Sequence, residues 1–219
     1  MKWRCDLWRI VSGLFFNSPS RWARLTLPGW DEDSHAKNPR VWRDSVGDLI
    51  SLDTLKGDLD LPQGSEEEMR GWCRELARDC GAGLIEAYRI GHSSHLIYKR
   101  LQMGGYVYTG MYITTVQDCT LVWTVVAGEH GITGVREAIV TENLMNAGKL
   151  TLDGFKRSFA QDPYEPDYHH VDRSVLRFMS DDELYDGQFP HHPLSNVRRV
   201  LAALPSEIKF DPPKAGMNS

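Results

Sequence analysis

The stretch LIEAYRIGHSSHLIYKRLQMGGYVYTGMYITTVQDCTLVWTVVA, residues 84–127, decides the fold. Four runs rich in β-branched and aromatic residues, Leu84–Ile90, His95–Leu101, Tyr106–Thr115 and Cys119–Ala127, are separated by Gly91-His92-Ser93, Gly104-Gly105 and Gln117-Asp118. Connections this short join only antiparallel neighbours, because a parallel crossover needs about a dozen residues or more. The stretch therefore predicts a four-stranded β-meander. Its last run, apolar at most positions from Thr120 to Ala127, predicts a central strand.

Working outward, Ser65 and Glu68 have capping-box spacing, and Met69, Trp72, Cys73, Leu76, Ala77 and Cys80 then form one apolar stripe closed by Gly81. That is a helix ahead of the meander. Behind it, Gly128, Gly131 and Gly134 lead into a helix carrying Val135, Ala138, Ile139 and Met145, with Thr133 as its expected cap. Leu152, Phe155 and Phe159 mark a short helix. Pro193 suits a first helical position, and Leu194, Val197, Val200, Leu201 and Leu204 give a final amphipathic helix. Upstream, Ala23, Leu25 and Leu27 alternate with polar residues up to Pro28-Gly29, residues 31–40 read as a polar loop, and 40–55 as extended chain with Ile50 and Leu52 inward. The fold class expected is α+β: an antiparallel sheet with helices packed on both faces, an α/β/α sandwich.

Residues 1–210 read as a single domain and 211–219 as a flexible tail. Residues 160–192 are acidic and rich in turn formers. In residues 1–20, Trp3, Leu7, Ile10, Val11 and Leu14 follow helical spacing, so this segment is expected to dock as an N-terminal helix, with a membrane surface or a partner as the other destinations. Its uncharged stretch, Ile10 to Ser20, is too short to cross a bilayer.

Composition narrows the function classes. The hydrophobic fraction is 41%, that of an ordinary globular chain, and the four cysteines include no C-x-x-C pair, which argues against a disulfide scaffold or a cysteine zinc site. Net charge is −5, with five basic residues against Asp6 in the first thirty positions and an acidic remainder. An acidic body is a poor match for the basic stripe that nucleic acid requires, so no nucleic-acid partner is expected. No cofactor is expected, and the location expected is cytoplasmic.

The order of elements, with Leu27-Pro28-Gly29-Trp30 closing the first strand, a strand pair around Trp42–Leu55, a capped helix, a four-stranded meander and then helices, resembles the PsbP-like family. The resemblance spans roughly residues 20–150. The later run from Asp181-Asp182-Glu183-Leu184-Tyr185-Asp186 through Phe189-Pro190-His191-His192-Pro193-Leu194-Ser195 is similar to a segment shared by that family's uncharacterised bacterial branch. The family includes an extrinsic photosystem II subunit and a Ran-binding nuclear import factor. It implies an α/β/α sandwich that binds or assembles, and offers no catalytic motif to carry over.

Candidate site residues follow from chemistry. Tyr106, Tyr108 and Tyr112 share one parity of a strand, with a gap at Gly110, so they present a row suited either to recognition or to packing under a helix. Arg136 lies at a glycine-rich helix entrance, Gly128 to Gly134, whose free amides suit an anion. His169 and His170, with Asp167 and Asp172 nearby, and His191 and His192 carry imidazoles, but neither pair has the i, i+4 spacing of a helical metal site, and no metal is expected. The reading favoured is a non-enzymatic binding or assembly module whose partner is a protein rather than a small molecule. The alternatives are a small, metal-dependent hydrolase using the late His and Asp loops, and a toxin-neutralising immunity protein with an acidic face.

Overall fold

The computed structural model describes residues 23–37, 39–56, 61–62, 64–116 and 119–210. The expected N-terminal helix over 1–20, the tail 211–219 and the Gln117-Asp118 turn lie outside the described residues. In chain order the elements are β1 (Ala23–Leu25), β2 (Asp31–Lys37), β3 (Arg40–Arg43), β4 (Leu49–Lys56), α1 (Glu66–Asp79), β5 (Gly83–Ile90), β6 (Ser93–Gln102), β7 (Gly105–Val116), β8 (Cys119–Gly128), α2 (Val135–Asn146), α3 (Leu152–Ser158), β9 (Ala160–Gln161), β10 (Arg177–Phe178), α4 (Pro193–Glu207) and β11 (Ile208–Phe210).

Seven strands form one antiparallel sheet in the order β2-β3-β4-β8-β7-β6-β5. The meander is β5 to β8, and β8 occupies the central place, between β7 and β4. Helices cover both faces. On one, Met69, Cys73 and Ala77 of α1 pack against Leu84, Leu96, Met111 and Ile113. The capping box predicted at Ser65 and Glu68 starts this helix, with both reciprocal bonds formed. Burial pushes the Cys73 thiol up to about 12, as suits an inert core cysteine.

On the other face Leu194, Val197, Val200, Leu201 and Leu204 of α4 lie over Ile97, Tyr108, Tyr112, Trp123 and Val125. Pro205 near the end of α4 costs about 3 kcal/mol in a helix interior. Five buried aliphatic side chains at roughly 1.5–3 kcal/mol each outweigh it. Gly110 makes the approach close enough: a Cβ there would meet Val197 Cγ1 at 2.5 Å and Leu201 Cδ1 at 2.7 Å. At the edge of the structure, β1 pairs with β11, joining the two ends of the described chain.

Three local expectations are corrected. Residues 31–37 form a strand, not a loop; β2 is an edge strand, where polar side chains are tolerated because one side faces water, and Arg40 of β3 holds Glu32 of β2 through both oxygens. Helix α2 is capped by Gly134, not Thr133: its φ of +74° is left-handed, which favours glycine, and its N–H is donated to the Glu129 carboxylate. The inward residues of α2 are Arg136, Val140 and Leu144, whereas Val135 and Ile139 are exposed. An arginine on the buried face moved the apparent stripe.

Candidate functional site

The site is set by parity in the sheet. Lys99 of β6 stands opposite Tyr108 of β7, and both project from the α4 face. Their partner arrives from the acidic segment between β10 and α4. Asp181, in a short 3-10 turn at Met179–Asp181, accepts from Lys99 Nζ at 2.6 Å, from the Phe178 N–H at 2.7 Å and from the Tyr108 hydroxyl at 3.4 Å. Burial lowers the Lys99 pKa, and the attraction of Asp181 opposes that shift. The ammonium also lies 3.2 Å from the Phe178 ring centroid, a cation–π contact in a desolvated setting. Burial pushes the Tyr106 phenol up to about 12 and the Tyr108 phenol well above its usual value.

Two arginines clamp the same segment. Arg136 donates Nε to the Ser180 carbonyl at 2.6 Å, Nη2 to the Asp182 carbonyl and Nη1 to Ser195 Oγ, both at 2.9 Å, and pairs with Asp186. Arg198 of α4 bridges Glu86 of β5 to Asp186 and donates to the Asp181 carbonyl. The acidic stretch is thus a packed strap, with its backbone carbonyls serving as acceptors for guanidinium groups.

Behind the strap, Glu129, Glu137 and His192 converge, one ligand atom of each lying within 4.8 Å of the others. Glu129 leaves β8 and accepts from the Tyr106 N–H at 2.8 Å and the Gly134 N–H at 2.9 Å, so the anion seated at the entrance of α2 is the chain's own carboxylate. Both oxygens of Glu137 are buried without a hydrogen-bond partner, as is His192 Nε2. Burial raises the Glu137 pKa; burial and the nearby Arg136 hold the His192 imidazole down at about 4. His192 Nδ1 accepts from the Leu194 N–H at 3.2 Å, capping α4.

Two depressions flank this cluster. An open groove of about 960 Å³ runs between α2, α3 and the chain around Phe178; Ala138, Met145, Phe155, Phe159 and Phe178 give it apolar walls. Tyr106 and Glu137 also line it. A smaller cleft of about 450 Å³ opens on the other side, bounded by Val46, Ile132, Phe189, Pro190 and His192.

The structure separates the candidates named from sequence. Tyr108 and Tyr112 are buried beneath α4, with the Tyr112 hydroxyl accepting from Ser93. Tyr106 alone of the three lines the groove. Arg136 is fully buried and its guanidinium is engaged by the strap. His169 and His170 are exposed, His170 resting edge-on against Tyr168. Sequence reasoning did not select Lys99, Asp181, Glu129 or Glu137, and it named His192 only as one of a pair with no metal expected. A signal existed for one of them: Lys99 shares the inward parity of His95 and Ile97.

Comparison with known proteins gives little more. No protein-family model matches the chain. No curated protein matches it either. Among solved structures, a crystal structure from Bacteroides thetaiotaomicron VPI-5482 is similar at 16% identity and TM-score 0.33, over 53% of this chain and 42% of that one, so the match spans less than half of that relative. Cyanobacterial PsbP (CyanoP) from Synechocystis sp. PCC 6803 is similar at 14% identity and TM-score 0.32, over 58% of this chain and 84% of its own. LpqN of Mycobacterium tuberculosis, described as involved in cell envelope biogenesis, is similar at 16% identity and TM-score 0.27, over 57% and 77%. Among the described residues no helix is long and apolar enough to cross a membrane.

Proposed function

We propose that the chain is a non-enzymatic binding module that receives an amphipathic segment of a protein partner in the groove between α2 and α3. The observation that carries this reading is the groove's wall: apolar side chains from α2, α3 and β10 line an open channel, and exposed Leu152 extends that apolar surface from Phe155 along α3. Contiguous apolar surface of this kind is characteristic of interaction sites. Exposed Glu142 and Arg173 stand among the residues lining the groove and offer charged contacts beside its apolar walls, as an amphipathic segment requires. The PsbP-like reading rests on the order of the elements, and residues 1–210 are taken as one unit. The thiols of Cys73 and Cys119 suit a cytoplasmic, reducing setting.

The test is a photo-crosslinking side chain placed at Phe155, with exposed Ile90 at the β5–β6 turn, the opposite end of the strands from Tyr106, as control, followed by calorimetry with the purified crosslinked protein. Met145→Glu should weaken that binding at least tenfold while the far-UV circular dichroism of the folded chain is retained. A small molecule retained in native mass spectra and lost in Met145→Glu, with no protein captured from position 155, would replace the protein partner by a small ligand.

A further inference from the structure

Glu129, Glu137 and His192 come from the exit of β8, the first turn of α2 and the N-cap of α4, and they meet between the groove and the cleft, each partly buried. The His192 side chain is 9% exposed and that of Glu129 6%. Three observations point to an occupant. Both Glu137 oxygens and His192 Nε2 are shut from solvent and have no hydrogen-bond partner. The imidazole Nε2 lies 4.0 Å from Glu129 Oε1, aimed into the trio but beyond hydrogen-bond reach. The charges do not balance: Glu129, Glu137 and Asp181 act on one another alongside the single ammonium of Lys99, while Arg136 is matched by Asp186. Ionised, the cluster holds two more negative charges than positive ones, and isolated buried charges are strongly disfavoured.

We propose that Glu129, Glu137 and His192 bind one divalent transition-metal cation, which locks the starts of α2 and α4 to the end of β8. A dication brings the cluster to neutrality. Two carboxylates with one imidazole suit zinc or manganese, whereas calcium and magnesium favour oxygen alone. If Glu137 binds through both oxygens, the trio supplies four donor atoms. Bonds of about 2.0–2.2 Å put tetrahedral ligand atoms roughly 3.3–3.6 Å apart, so the side chains must close by up to about 1 Å on loading. With the Glu137 oxygens and His192 Nε2 shut from solvent, and with Glu137 bidentate, the site is structural in type and is compatible with a non-catalytic protein. Loading has one further requirement. In the metal-free ring Nδ1 accepts the Leu194 N–H, so the proton sits on Nε2; metal at Nε2 moves that proton to Nδ1 and releases the Leu194 N–H from the imidazole.

The experiment uses the full chain, stripped with a chelator and titrated with Zn²⁺ and separately with Mn²⁺ by calorimetry, with the histidine nitrogens followed by NMR. One saturable equivalent is expected, with a raised melting temperature and the His192 proton moved from Nε2 to Nδ1. Glu137→Gln keeps the shape of the site and removes a buried charge, so it should raise the melting temperature of the stripped protein while weakening metal binding at least ~100-fold. The double variant His169→Ala, His170→Ala should bind as the parent does. Absence of saturable binding by either ion, binding that survives Glu137→Gln, binding lost with His169 and His170, or a loaded His192 still protonated at Nε2 would each overturn the proposal.

Discussion

Lys99 Nζ lies 2.6 Å from Asp181 Oδ2 with both side chains fully closed to solvent, linking β6 to a strap 82 residues later. Removing one member of such a pair is far worse than removing both, because the survivor is left charged in a dry environment. Asp181→Ala is expected to cost about 3–5 kcal/mol. Adding Lys99→Met should recover most of that loss, since a matched apolar replacement leaves no buried charge. Urea denaturation of the two single variants and the double variant checks it; additive losses would show that the pair does not act as a unit.

His95 yields a pH prediction. Its ring lies between Tyr88 and Tyr112 with centroids at 5.0 and 4.9 Å, neither nitrogen has a hydrogen-bond partner, and burial holds its pKa down at about 4. Between pH 6.5 and 4 the unfolded chain binds a proton there and the folded protein does not, so this residue lowers stability as pH falls through that window. The full effect is roughly 3 kcal/mol, reached below pH 4 and absent above 6.5. Half-buried Asp53, raised to about 6, acts in the opposite sense, being protonated more readily when folded. The difference between parent and His95→Phe isolates the histidine: the variant should be at least as stable at pH 7, and its advantage should grow steadily towards pH 4.

Gly110→Ala addresses the fit of α4. The added methyl would sit 2.5 Å from Val197 and 2.7 Å from Leu201, so the helix must move outward. Overpacking of this kind costs roughly 1–3 kcal/mol. Thermal melting should drop by several degrees, and Val197→Ala in the same chain should restore part of it by opening the contact.

Arg136→Lys tests the clamp. An ammonium cannot reproduce the guanidinium's simultaneous bonds to the Ser180 and Asp182 carbonyls and Ser195 Oγ. The expected outcome is faster amide exchange confined to residues 179–186 and a stability loss of about 2–3 kcal/mol, the scale of hydrogen bonds from a charged donor. Unchanged protection across the strap would show that apolar packing alone holds it.

What could be read from the chain was what local chemistry writes down. The meander, the Ser65–Glu68 capping box and Pro193 at the start of α4 each depend on residues a few positions apart, and each stands in the structure. β2 was missed because an edge strand needs no apolar alternation. The inward face of α2 was misplaced because it begins with Arg136, which is polar in composition but buried by its partners. The Lys99–Asp181 pair, and His192 with Glu129 and Glu137, join segments dozens of residues apart, and no spacing rule encodes them. The tyrosine row was legible as a row; which of its members a helix would cover was not.

The lateness of α4 in the chain has a consequence for synthesis. The α1 face of the sheet can be assembled once the meander has left the ribosome, because α1 precedes it. The opposite face, with Trp42, Trp123 and Tyr108, must wait for residues 193–207, and β1 waits longer still for β11. During that interval the nascent chain carries one finished side and one bare aromatic side. The stage most exposed to chaperone capture or aggregation is therefore the last part of translation, and slowing it with rare codons after residue 190 should lower the soluble yield more than slowing the stretch before residue 84.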